Sequence, residues 1–361
     1  MADTAAATGL TVQQWDDKFF VEYIQNHPFR AYMGSDENSI FQVKEDLTAK
    51  KGKYVTFSLI NRLTGDGVTG SQTLEGNEED LNSRSFRVQV NKRRNAVVVP
   101  EIEEQYSAIG LRDAAKPVLR TWADEKDIDR IYRGLYSFNG VAYASATETE
   151  KDAWLVDNAD RVLFGAAKSN NSANDHSASL ANIDNTSDKL TPTALSLMKR
   201  IAFSATPKIR PIRLAKNNKR WLVAFAHPLA FRDLKTHATI TQAQREVTIT
   251  EQNNILFQGG DIEWDGIIVH ECDGMPTLTG VGNGGIDVGG VFLCGAQALG
   301  LAIAKRWVTK EQVRDYGDKP GVAVEAIDGL EKMLFGSGSA DTDDLKQHGV
   351  VTGYFAAVAD S

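Results

Sequence analysis

Little in this sequence offers a covalent or membrane-borne route to stability. Only two cysteines, Cys272 and Cys294, occur in 361 residues. That is too few for a disulfide framework or a zinc site built from thiolates alone, so reduced, buried thiols are expected. No stretch approaches the ~18 apolar residues that suggest a transmembrane helix. The start, Met1 to Ala7, lacks a basic segment ahead of an apolar core, so no secretory signal is expected there. Basic residues do not dominate: 40 Lys and Arg stand against 48 Asp and Glu, a net charge of −8. A dedicated nucleic-acid binder needs clustered cations to displace phosphate counterions, which this balance disfavours. There is no P-loop and no G-x-S-x-G elbow. What remains is an ordinary globular composition, 42% hydrophobic and 24% charged, which excludes a disordered or collagen-like chain. At ~150 residues per domain the length suggests two or three domains.

Trp15, Phe19, Phe20, Tyr23 and Ile24 recur at helical spacing, which predicts a short amphipathic helix. His27 to Ser39, broken by Pro28 and Gly34, reads as part of an arm. Tyr54 to Ile60 alternates, with Val55, Phe57 and Leu59 on one face, and so does Ser85 to Val90. A third run, Ala96 to Val99, follows Lys92, Arg93 and Arg94. Between the first two lies a polar stretch with Gly65, Gly67, Gly70 and Gly76 that is acidic from Glu75 to Asp80. An extended hairpin with a glycine-rich tip is the expectation. A lone hairpin is marginal in water, so it needs a second surface, and a neighbouring subunit is the natural one.

Pro100 opens the longest predicted helix, with Glu101, Glu103 and Glu104 at the positive end of its dipole. Its apolar stripe includes Leu119, Trp122, Ile131 and Leu135, while Pro117 should kink or interrupt it. Trp122→Ala should cost about 3–5 kcal/mol if that ring is fully buried. Asn, Ser, Ala and Asp dominate Ser145 to Leu190, which reads as a loop-like insertion. Thr191 caps a helix, Arg220 to Ala226 is a buried strand, and His227-Pro228 starts another helix. Gly266 to His270 and Gly290 to Cys294 are short strands, and Ala296 to Trp307 looks helical. Val322 to Phe335 and Gly349 to Ala357 fit either helix or strand, with Gly329 counting against a regular helix.

Candidate chemistry is sparse. Gly280-Val-Gly-Asn-Gly-Gly285 matches G-x-G-x-x-G, but a strand follows it where a dinucleotide site needs a helix, so it reads as a glycine turn. His270, Glu271, Cys272 and Asp273 are adjacent along a strand, so their side chains diverge and do not share a metal. The stretch from Asp66 through Glu75, Glu78 and Glu79 does not fit a twelve-residue calcium loop and reads as a solvated acidic tip. Lys92, Arg93 and Arg94 form too small a patch for a nucleic-acid footprint and read as a solvated or subunit-pairing group. No cofactor and no catalytic residue is expected.

The segment Tyr54-Val-Thr-Phe-Ser-Leu-Ile-Asn-Arg-Leu-Thr-Gly-Asp-Gly-Val-Thr-Gly70 closely resembles one in tailed-phage major capsid proteins, in the family typified by the podovirus N-four. The resemblance continues through Leu74 to Glu79 and Val90 to Val97, then Leu111 to Ala115, Leu119 to Trp122, Gly266 to Glu271 and Phe292 to Ala298. The stretch from Ser145 to Leu190 carries none of it.

The resemblance implies an α+β fold of the Hong Kong 97 type. Residues 1–51 would be an N-terminal arm, 52–99 an extended β-hairpin loop, and 100–144 a spine helix with part of a peripheral domain. Residues 145–190 would be the insertion, 191–307 mainly an axial domain, and 308–361 a return to the peripheral domain as strands. It further implies a virion protein, assembled in the host cytoplasm, that self-assembles into hexamers and pentamers of an icosahedral shell around double-stranded DNA. The DNA would be held on the inner face without sequence specificity, and a separate scaffolding protein and a portal would take part, with no role for a membrane. Inter-subunit contacts are expected at Asp66, Gly67, Gly70, Glu75, Glu78, Glu79, Lys92, Arg93 and Arg94, with either charged cluster pairing across subunits. The competing readings are a cellular encapsulating compartment and a nucleotide-binding enzyme resting on Gly280 to Gly285.

Overall fold

The computed structural model describes residues 29–49, 51–60, 63, 65, 67–79, 83–106, 111–213, 220–246, 261–338 and 340–360. The helix expected at Trp15 to Ile24 lies outside them, as do Asp66 and Asp80. Strands β1 (Met33–Gly34) and β2 (Phe41–Lys44) and the short helix α1 (Asp46–Ala49) precede a hairpin of β3 (Tyr54–Ile60) and β4 (Ser83–Gln89). Strand β5 (Asn91–Val98) then leads through α2 (Glu101–Tyr106) into α3 (Leu111–Tyr136). The middle of the chain holds α4 (Glu148–Asn158), β6 (Val162–Phe164), α5 (His176–Ala181), α6 (Pro192–Ser204), β7 (Ile212–Arg213), β8 (Arg220–Ala226), α7 (Pro228–Thr236) and α8 (Ala238–Glu246). Then come β9 (Ile262–Trp264), β10 (Ile267–Glu271), β11 (Thr277–Leu278), β12 (Val288–Cys294), β13 (Leu299–Arg314), β14 (Lys319–Lys332), β15 (Leu334–Gly336), β16 (Leu345–Gln347) and β17 (Val350–Ala356).

Two sheets organise these elements. The larger runs β6-β17-β12-β8-β10-β9, with β7 and β11 attached to β8 and β12. Every residue of β12 and β17 is buried, as central strands covered on both faces require. Successive side chains go to opposite sides. Val291 and Leu293 pack with Leu195 and Met198 of α6 and Phe231 of α7, while Phe292 and Cys294 pack with Tyr136, Phe138, Trp154 and Phe225. The smaller sheet runs β1-β2-β13-β14-β5 and is dominated by the antiparallel pair from Leu299↔Lys332 to Arg314↔Lys319. Helix α3 lies on it through Leu119 and Ala123, against Trp307, Val322, Val324 and Ala326.

Several expectations change. Helix α3 continues through Pro117 without interruption. The ring faces solvent, so only one backbone bond is forgone while Leu119 and Ala123 on the other side stay packed. Residues 145–190 are not a loop-like insertion but carry α4, β6 and α5. Their polar residues cap and brace. Thr147 and Glu150 form a reciprocal capping box, and Asp175 accepts from Ala178 N at 2.8 Å. The buried Asp188 accepts from Ala166 N and Asn170 Nδ2. The segment from Phe29 to Lys44 is no free arm: Phe29 and Phe41 pack with Phe225 and, for Phe29, Tyr132. Leu299 onward is strand, not helix, because pairing with β14 and β2 outweighs its mixed local preference. Both ambiguous C-terminal runs are strands.

Trp122 is half-buried, edge-on to Trp307 at a ring-centre distance of 6.1 Å. Trp122→Ala is therefore expected to cost about 1–3 kcal/mol, less than for a fully buried ring, and Trp122→Phe less again. Denaturant midpoints of the two variants check this, and a loss above about 4 kcal/mol contradicts it.

Candidate assembly surfaces

The residues that hinted at chemistry are absorbed by the fold. Gly280, Gly284 and Gly285 hold positive φ in a turn that enters strand β12, where a dinucleotide site would need the turn to open an α-helix. His270 pairs through Nδ1 with Asp261 at 2.8 Å and meets the Tyr32 hydroxyl through Nε2. Cys272 is buried, its thiol pushed up to about 12 chiefly by desolvation.

The hairpin combines a packed root with an exposed distal part. Strands β3 and β4 pair from Tyr54↔Gln89 to Ile60↔Ser83. Its root is not unsupported: Val55, Phe57 and Val88 are buried with Ala302, Met333 and Phe335 of the same chain. Two glycines allow this close approach. A Cβ on Gly329 would lie 2.2 Å from the Gln89 carbonyl oxygen, and one on Gly300 would meet the Phe57 ring at 3.1 Å. Arg84 Nη2 donates to the Gly338 carbonyl at 2.6 Å and the Ser85 hydroxyl to Asp341 at 2.6 Å. Beyond the root support ends: Ile60, Leu63 and Leu74 are exposed. Gly67 and Gly70 at the tip hold positive φ, and a Cβ at either would meet nothing within 4 Å. Glu75, Glu78 and Glu79 are exposed; Glu78 accepts from Gly76 N at 2.7 Å and Glu79 from Gly65 N at 2.8 Å.

The basic run on β5 does not act as one cluster. Arg93 is drawn inward: its guanidinium donates to both oxygens of Asp328 at 2.9 and 2.6 Å, lies 2.5 Å from Asp127, and covers Trp307 at 4.9 Å. Arg130 of α3 shares Asp328 at 2.6 Å. This cluster ties β5 and β14 to the spine helix, and it engages the Arg93 guanidinium within its own chain. Burial and the neighbouring Asp328 push the Asp127 carboxyl up to about 7. Lys92 pairs with Glu325 at 2.9 Å within the chain, and Arg94 stays exposed on the other side of the strand from Arg93.

Sequence reasoning missed a second surface. Val97, Val99, Leu111 and Ala115 line an open apolar groove of about 470 Å³ beside α2. Val98 and Val118, both exposed, also line it, and Ile102 and Tyr106 of α2 are exposed as well. No residue of α2 is buried, although its Ile102 and Tyr106 gain nothing from water. The signal was visible as apolar residues off the spine's main stripe. The tip of the β13–β14 pair exposes Val313 and Tyr316 in the same way.

Burial lowers the pKa of His176 and of the half-buried His348, which predicts a loss of stability in acid. His176 sits among Phe138, Trp154, Phe164 and Tyr354. Desolvation, then the nearby Lys151, push it down to about 4, against the pull of Glu148, Asp152 and Asp175. His348, edge-on to Phe335, is also pushed down to about 4 by desolvation. A histidine whose folded pKa lies below its unfolded value near 6.5 contributes stability above 6.5 that is lost as pH falls toward 4. Asp127 acts oppositely, its raised pKa favouring the fold on acidification. His176→Phe should therefore flatten the fall in melting temperature between pH 6.5 and 4 relative to the native chain. Parallel melting curves across that window would contradict the assignment.

Comparison with known proteins follows the same lines. A sequence model of the family described as phage capsid protein matches residues 3–359. The major capsid protein of Pseudomonas phage KPP25 is 30% identical over 351 residues, covering 90% of each chain. The solved capsid asymmetric unit of cyanophage Pam1 superposes with a TM-score of 0.82 at 31% identity, covering 100% of both chains. The capsid of Ralstonia phage GP4 shares the fold at a TM-score of 0.71 and 20% identity, over 91% of this chain and 90% of that one.

Proposed function

This chain belongs to the phage capsid protein family, and on that premise we propose how it builds a shell: each copy lays its β3–β4 hairpin on a neighbour, and the repeated contact closes the surface. The protein is a major capsid protein of a tailed phage, forming an icosahedral capsid; it is structural and not an enzyme, and its place is the virion. Its α+β fold is of the Hong Kong 97 type. The observation that carries the assembly reading is the hairpin itself. Its root is built into the chain's own core, while its distal half exposes Ile60, Leu63 and Leu74 and ends in a glycine-rich acidic tip. Such a projection gains stability only on a second surface. Contacts between identical copies through different patches are heterologous, and these close into rings and shells when the rotation permits.

Finer parts of the reading follow. Hexamers and pentamers are the expected rings. A separate scaffolding protein and a portal are the expected partners, with double-stranded DNA enclosed without base-specific contact, which an acidic chain suits. Kinship with the N-four type in particular rests on the Tyr54 to Gly70 segment. The β13–β14 sheet with α3 fits a peripheral domain, and the larger sheet with α6 and α7 fits an axial one. Sedimentation and electron microscopy of the expressed chain, with and without scaffolding protein, test the proposal. Closed megadalton particles are expected; a stable small oligomer under every condition would overturn it. Particles that package an enzyme in place of DNA would move the protein to the encapsulating-compartment class.

A further inference from the structure

Helix α3 belongs to both layers of the fold, and the changeover falls at one charged cluster. Leu119 and Ala123 pack on the smaller sheet against Trp307, Val322, Val324 and Ala326. Further along, Ile131, Leu135 and Tyr136 pack in the core of the larger sheet with Phe225 and Phe292. Asp127 lies between these two stretches, beside Asp328 of β14. One oxygen of each carboxylate meets the same two donors. Arg93 Nη2 lies 2.5 Å from Asp127 Oδ1 and 2.6 Å from Asp328 Oδ2. Arg130 Nη1 lies 2.6 Å from that Asp328 oxygen and 3.9 Å from that Asp127 oxygen. The two oxygens are therefore at most about 5 Å apart. Only 19% of the Asp127 side chain and 9% of the Asp328 side chain meet solvent, so their repulsion is weakly screened.

The donors favour one of the two acids. Asp328 accepts from Arg93 Nε at 2.9 Å, from Arg93 Nη2 at 2.6 Å and from Arg130 Nη1 at 2.6 Å. Asp127 meets Arg93 Nη2, then Trp307 Nε1 at 3.4 Å and Arg130 Nη1 at 3.9 Å. A proton taken up by the pair is therefore best placed on Asp127. Burial, and then Asp328, push that carboxyl up to about 7, against Arg130 and the Trp307 hydrogen bond. The groups facing it are Arg93 of β5, Trp307 of β13, Asp328 of β14 and Arg130 of its own helix. Asp124, a turn away on α3, is pushed up to about 6 chiefly by burial. We propose that Asp127 and Asp328 form a proton-operated joint: a proton on Asp127 locks the smaller sheet to α3, and its loss as pH rises lets the sheet shift on the helix. With the proton, two guanidinium groups face one carboxylate and the acids no longer repel. Without it, two shielded charges favour arrangements that let water reach Asp127. Because the other half of α3 is packed into the larger sheet, such a shift moves one layer relative to the other. The joint is internal to one chain and does not depend on where the hairpin docks.

Hydrogen exchange in the full-length chain, corrected for intrinsic rates, tests the joint. A carboxyl whose folded value is raised stabilises the closed arrangement in acid, and that contribution is lost as pH rises through about 7. Protection of the amides in 119–130 and 322–328 should fall about tenfold between pH 6 and pH 8.5. Strands β12 and β17, in the larger sheet, should change much less. Asp127→Asn keeps the shape without titrating and should abolish the fall, whereas Asp124→Asn should leave it in place. A native chain with no fall, or the same fall in Asp127→Asn, would overturn the proposal. A second measurement leaves the pair itself unaltered, so it does not depend on Asp127→Asn folding. Infrared spectra of the chain labelled with carbon-13 aspartate and carrying Asp124→Asn should show a buried carboxylic-acid band at pH 6 that vanishes by pH 8.5. Absence of that band at pH 6, or its persistence at pH 8.5, would equally overturn the joint.

Discussion

Deleting residues 66–77 is expected to leave a soluble monomer with the native melting temperature and to abolish closed particles. The deleted residues that the structure describes lie beyond the paired strands, and the root packing of Val55, Phe57 and Val88 is untouched. Shortening a surface loop changes closure entropy by well under ~1 kcal/mol, so the fold has no reason to fail. Assembly does, because each copy loses the projection that reaches its neighbour. Circular dichroism melts and sedimentation of the same preparation separate the two effects. Particles of native size and thermal stability would contradict the hairpin's role.

Trp154→Ala should have the opposite profile, loss of the fold itself. Trp154 on α4 is fully buried and packs edge-on to Phe138 at 4.6 Å. The fully buried Lys332, whose amine donates to the Ser137 carbonyl at 3.1 Å, lies 6.0 Å from its ring centre. Truncation removes a large apolar side chain and opens a cavity beside an amine that burial already pushes down to about 7. The expected cost is about 3–5 kcal/mol, a large part of a typical ~5–15 kcal/mol. Insoluble protein, or folding only in the cold, is the expected outcome, with Trp154→Phe milder. A native denaturation midpoint for Trp154→Ala would mean that 145–190 is peripheral after all.

The contrast between these two regions shows how far the sequence could be read. The hairpin was legible because alternation in Tyr54 to Ile60 is a local pattern, and the burial of Val55 and Phe57 follows it. The spine helix was legible through its stripe, although the depth of Trp122 depended on Trp307, far away in the chain. Residues 145–190 were misread because Asn, Asp and Ser are common both in loops and at helix caps. Only tertiary contacts show that Thr147, Asp175 and Asp188 are bracing helices and turns. Leu299 to Arg314 was misread for a related reason, since its partner β14 is known only once the chain is folded. Of the candidate contact residues, the glycines and glutamates of the tip are exposed as expected. Arg93 is engaged within the chain, because one-residue alternation on β5 turns it toward Asp127 and Asp328 while Arg94 faces out.

A reconstruction of the assembled shell at side-chain resolution tests the central claim most directly, by tracing the hairpin from its root at Gln89 to its tip. The account predicts closed icosahedral particles in which residues 67–79 of each copy lie on an adjacent copy. Closed particles in which the tip folds back on its own chain, or projects into solvent without touching a neighbour, would contradict it.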